Sequence, residues 1–125
     1  VFADHPFSQA IAQFNAGEYY ACHDTLEALW IEALEPDRKF YQGLLQIAVA
    51  YYHLSHHNWR GCVILLGEGI AKLQAFAPTY ADINVETFLA LNQANLQQLH
   101  ALGSERMAEF SWHQIPQVDW MSHDE

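Results

Sequence analysis

From Arg38 to His56 the chain places apolar side chains on nearly every face of a helix. Phe40, Leu44, Leu45, Ile47, Ala48, Val49, Tyr51, Tyr52 and Leu54 follow one another at about 100° per residue and leave no wide polar side. Such a helix is stable only when other helices surround it, which makes it the centre of a bundle. The rest of the chain supplies the surroundings. Apolar spacing predicts further helices from about Phe7 to Ala16, Glu18 to Leu34, Trp59 to Phe76 and Val85 to Leu102, and no convincing period-two run occurs. Each boundary has a physical cause. Gly17 and Gly103 suit left-handed helix ends. Pro36 lacks an N–H and restricts Glu35 before it, and Pro78 acts likewise near the end of the fourth helix. Asp37, Asn58 and Asn84 stand where caps are expected.

The fold predicted from this pattern is all-α: one domain, residues 1–125, built as a bundle of about five helices in antiparallel hairpins. The fifth helix and a C-terminal arm occupy residues 84–125. The arm, from Ser111 onward, holds Trp112, Ile115, Pro116, Val118 and Trp120 without periodicity. It is expected to be irregular, with its tryptophans packed on the bundle or on a neighbouring subunit. Gly61, Gly67 and Gly69 each weaken the fourth helix by roughly 1 kcal/mol, and close helix–helix approach is the expected compensation.

The charge balance narrows the partners. Fifteen acids against five bases give a net charge of −10. Nucleic acid is excluded on this reading, because binding it depends on Lys and Arg displacing counterions from phosphates. Anionic membrane surfaces are disfavoured for the same reason. Charged residues make up only 16% of the chain, which leaves surface for a homodimer or other homo-oligomer. The longest purely apolar stretch, Cys62 to Leu66, is far short of a membrane span. Two cysteines outside any Cys-x-x-Cys pair make no disulfide framework, and His5 and Pro6 interrupt any early apolar segment. The acidic chain is read as cytoplasmic.

One constellation carries chemistry. On the second helix Tyr19, Tyr20, His23, Leu26, Glu27, Trp30 and Leu34 fall on one stripe, apolar except for His23 and Glu27, which are neighbours at i and i+4. A carboxylate on a core-facing stripe is costly unless paired or bound to a metal. On the third helix Gln42, Gln46 and His53 lie within about 40° of one another. Facing helices would join them into a buried cluster in which His23, Glu27 and His53 are candidate ligands for a divalent ion such as Zn, Mn or Fe. The bland reading is that Glu27 accepts a hydrogen bond from His23 or a nearby indole. His–acid pairs at the same spacing also occur at Glu109/His113 and Asp119/His123, so spacing alone is weak. No phosphate loop or nucleophile elbow is present, and Cys22 and Cys62 read as packing residues.

The sequence Phe14-Asn15-x-Gly17-Glu18-Tyr19, then His23-x-x-x-Glu27-x-x-Trp30, resembles the domain-of-unknown-function 309 family. The likeness continues through Gln42-Gly43-Leu44-x-Gln46-x-Ala48, His53, Asn58-x-x-Gly61 and Leu65-Leu66, covering about Phe7 to Leu73. It implies a small helical protein of unknown function, with a metal-binding role suggested for the motif that here reads His23, Glu27 and Trp30. Asp24 stands where relatives often have Glu.

Two functions follow. In the first, a small polar site centred on His23 and Glu27, walled by Trp30, binds a metal or a small ligand; neither substrate nor reaction class is specified. In the second, the protein is a non-catalytic interaction module, binding a peptide or a second copy, and His23 and Glu27 only fix packing. Its support is a faint repeat: Gly17-Glu-Tyr-Tyr-Ala-Cys22 resembles His57-Asn-Trp-Arg-Gly-Cys62 at an offset of 40 residues. Helical hairpins stacked in tetratricopeptide manner give such a pattern.

Overall fold

The computed structural model describes residues 5–122. Among them five α-helices follow in chain order: α1 (Pro6–Asn15), α2 (Tyr19–Glu32), α3 (Asp37–Ser55), α4 (Trp59–Leu73) and α5 (Val85–Leu102). Each packs against the next in sequence, and α3 sits between α2 and α4. The all-α bundle is as expected from the apolar pattern. On α3, Phe40, Ile47, Ala48, Ala50 and Tyr51 are at most 1% exposed, as its apolar character demands. No described helix is long and apolar enough to cross a membrane.

The helix ends follow local chemistry. Gly17 and Gly103 have φ of 79° and 69°, in the left-handed region. Asn58 accepts the Gly61 N–H at 2.9 Å and Asn84 the Thr87 N–H at 3.1 Å, each satisfying an orphan donor. Asp37 is not the cap of α3; Pro36 holds that place, and Asp37 accepts a hydrogen bond from the Tyr80 hydroxyl. The close approach predicted for the glycines occurs at Gly69, which packs on Gly43 and Ile47 of α3.

Two features lay outside the sequence reading. Thr79–Tyr80 (β1) and Ile83–Asn84 (β2) form a short antiparallel hairpin, and Trp120 bridges to Ile83. The C-terminal arm is irregular as expected, but Phe110 and Val118 anchor it, at 5% and 2% exposure. Trp112 and Trp120 stay half exposed, and Trp120 meets Phe7 of α1 edge-on with ring centroids 5.8 Å apart. Asn15 clamps Val118 through both backbone atoms, at 2.7 and 3.0 Å. Inside the bundle, Tyr51 donates to Asn92 Oδ1 at 2.5 Å and accepts from Asn95 at 3.1 Å, so the polar groups between α3 and α5 satisfy one another.

Candidate functional site

α2 buries only Cys22 and Leu26 fully, with Tyr19 and Leu29 packed beside them. On a helical wheel His23 lies about 80° from the centre of that face and Glu27 about 120°. The pair therefore stands at the flank of the bundle. The sequence stripe was rotated because it left out Cys22, a small apolar residue that turns out to mark the buried side. His23 keeps 22% of its side chain exposed and Glu27 48%, which corrects the expectation of a buried pair. Tyr20 and Leu34, assigned to the same stripe, are 56% and 84% exposed.

At that flank α2, α3 and α4 enclose a cleft of about 290 Å³ lined by His23, Glu27, Trp30, Gln42, Leu45, Gln46, Val49 and Leu65. Five of the six residues singled out from sequence meet here. The sixth, His53, does not line the cleft; its ring faces Asn58 at 3.3 Å. It shares an angular position with Gln46, but seven residues separate them by about 10 Å along the helix axis. A shared face was right and a shared level was not.

Hydrogen-bond chemistry orients the site. His23 Nδ1 lies 3.2 Å from Asp24 Oδ1. A carboxylate only accepts, so Nδ1 is the donor in this contact, and in the neutral imidazole the Nε2 lone pair is then available. Nε2 lies 4.0 Å from Glu27 Oε2, and in that neutral form two acceptors face each other there. Asp24 was placed away from the site in sequence, yet it sets the imidazole tautomer. Across the cleft, Gln46 Nε2 donates to Glu68 Oε1 at 3.2 Å. The Gln46 Oε1 atom is buried and has no partner among the described residues. Trp30 is held from behind by Arg38, whose guanidinium lies 4.5 Å from the ring centroid and donates to the Trp30 carbonyl at 3.2 Å.

Residues 7–65 match the model of a domain of unknown function, DUF309. Over that segment the chain is similar to the DUF309 family. Every residue that lines the cleft lies within the DUF309 match, whereas α5, the hairpin and the arm lie beyond it. The uncharacterized protein YpuF of Bacillus subtilis (strain 168) is 31% identical over 98 residues, which span 75% of this chain and 56% of that protein. The match thus takes in little more than half of the relative's length. No solved structure matches.

Among the described residues no three His, Cys, Asp or Glu side chains converge to hold a metal ion. The ionisable ligand set at the cleft is thus His23 and Glu27, without the expected third ligand. Glu109 of the tail pairs with Arg106 at 3.0 Å rather than with His113, and His123 lies outside the described residues. Cys22 and Cys62 are buried, and burial pushes each thiol up to about 12, which removes them as nucleophiles near neutral pH.

Proposed function

We propose that the cleft binds one divalent cation through His23 Nε2, the Glu27 carboxylate and Gln46 Oε1, and leaves its remaining positions to water or a small ligand beside Trp30 and Gln42. The observation that carries this reading is the buried, unpartnered Gln46 Oε1 on the wall of the cleft that His23 and Glu27 also line. An unpartnered buried acceptor calls for a cation or a strong donor, and the Glu27 carboxylate that lines the same cleft only accepts. Ligands sit about 2.1 Å from an ion of this class, so two donors 4.0 Å apart flank one after a small rotation of the exposed Glu27. Asp24 then plays the carboxylate that steadies a ligating histidine. The mixed nitrogen and oxygen set suits zinc, manganese or ferrous iron at modest affinity. An ion held by these residues would supply Lewis-acid chemistry, lowering the pKa of water at an open position.

The interaction-module alternative, in which His23 and Glu27 only fix packing, is not favoured, because both side chains lie at the open edge of the core. Equilibrium dialysis of metal-stripped protein against zinc or manganese, followed by elemental analysis, tests the proposal. About one ion per chain is expected, with uptake lost in His23→Ala and weakened about tenfold in Gln46→Leu. Absence of stoichiometric uptake, or uptake indifferent to His23→Ala in a folded variant, rejects it.

A further inference from the structure

The fourth helix places a carboxylate beside one of the proposed ligands. Glu68 of α4 accepts a hydrogen bond from Gln46 Nε2 of α3 at 3.2 Å, across 22 positions of sequence. Gln46 lines the His23 cleft and Glu68 does not. The donor end of the carboxamide is therefore occupied by a residue outside the cleft lining. Its acceptor end, Oε1, is buried and has no partner among the described residues.

That division matters because the two ends are nearly alike in shape. A glutamine carboxamide turns about its last bond between two arrangements of similar steric cost. Only the oxygen can hold a cation. Packing chooses poorly between the two, whereas charge chooses well. A carboxylate accepts and cannot donate, so it attracts Nε2 and repels Oε1. With Glu68 in place, the oxygen is the end left for the cleft.

The backbone brings Glu68 within reach. Its neighbour Gly69 approaches α3 so closely that a Cβ there would fall 2.6 Å from Ile47 Cγ1 and 2.8 Å from the Gly43 carbonyl oxygen. Ile47 follows Gln46 in the chain, so this close approach lies beside the Gln46–Glu68 pair. Among the described residues no Lys, Arg or His pairs with Glu68, so no side-chain cation draws the carboxylate away from Gln46. Glu68 also lies beyond residue 65, where the DUF309 match ends.

We propose that Glu68 is a positioning residue of the cleft: it stays off the bound cation and fixes the Gln46 carboxamide with Oε1 toward the ion. The inference rests on the cation site proposed above and supplies the device that selects its neutral oxygen ligand.

Two NMR and binding measurements test it. In metal-free protein, the Gln46 side-chain amide protons are expected to show Overhauser contacts to the Glu68 methylenes. Contacts from those protons to the His23 or Trp30 ring instead overturn the proposal. Manganese uptake is then compared among variants whose fold is confirmed by circular dichroism. Glu68→Ala is expected to weaken uptake severalfold, short of the roughly tenfold loss in Gln46→Leu. Added to Gln46→Leu, it has no further effect, because it acts through Gln46. Glu68→Gln, whose side-chain oxygen still accepts from Gln46 Nε2, keeps affinity within about threefold of wild type. Three results overturn the proposal: unchanged uptake in Glu68→Ala, a loss in Glu68→Gln as large as in Glu68→Ala, or a further loss when Glu68→Ala is added to Gln46→Leu. Absence of uptake by the wild-type protein, with the contacts to Glu68 present, rejects the cation reading and leaves the carboxamide orientation standing.

Discussion

Gly67 and Gly69 lie two residues apart on α4 and meet opposite surroundings. A Cβ at Gly69 would fall 2.6 Å from Ile47 Cγ1 and 2.8 Å from the Gly43 carbonyl oxygen, and backbone cannot give way cheaply. Gly69→Ala is expected to destabilise the protein by about 1–3 kcal/mol. A Cβ at Gly67 would meet nothing nearer than Leu96 Cδ2 at 3.8 Å, so Gly67→Ala should stabilise by up to about 1 kcal/mol through helix propensity alone. Denaturant melts of the two variants check the pair, and a shift of the same sign in both would contradict the packing described. Cys22 and Cys62 make a second residue-scale test. Their thiols sit at about 12 in the fold against an ordinary 9.0, raised by burial. The folded state keeps protons that the unfolded state releases, so this stabilisation is full below pH 9 and is lost as pH rises toward 12. A thiol reagent at pH 8 should leave both untouched until denaturant is added. Rapid reaction of the native protein would place them at the surface.

At the scale of elements, most of the helices were legible in the sequence. α5 begins at Val85 and ends at Leu102, as spacing and caps require, and α1 to α4 start within one residue of expectation. Proline, glycine and asparagine punctuate those helices locally, and local chemistry can be read without coordinates. The hairpin could not be, because two residues per strand are too few for a period to register. The Asp37 error has a related cause: the side chain is drawn off by Tyr80, a partner 43 residues away. The arm depends on such distant contacts throughout. Asn15→Ala removes both hydrogen bonds to Val118 and should cost about 1–3 kcal/mol, with faster amide exchange at Val118 than elsewhere in the core. Unchanged exchange there would mean that Val118 burial alone holds the arm.

For the molecule as a whole, the site's residues were mostly legible and its depth was not. Helical spacing brought His23, Glu27, Trp30, Gln42 and Gln46 onto faces that do meet. Angle alone, however, fixes neither the level along an axis, which removed His53, nor how far a face is turned from the core, which exposed Glu27. The energetic consequence is direct. Glu27→Ala should cost less than about 1 kcal/mol, as for exposed pairs, where a buried pair would have cost several. A fall in melting stability beyond that range would restore the buried-pair picture.

The ligation claim is tested most directly by adding substoichiometric manganese(II) and mapping paramagnetic broadening by NMR. The eight histidines offer competing positions, and six of the described ones, His5, His53, His56, His57, His100 and His113, lie away from the cleft lining. Broadening should centre on the His23 imidazole and the Gln46 carboxamide, and vanish from both in Glu27→Ala. Broadening centred instead on His53, His56 and His57 at the end of α3, with the Gln46 carboxamide sharp, would contradict it.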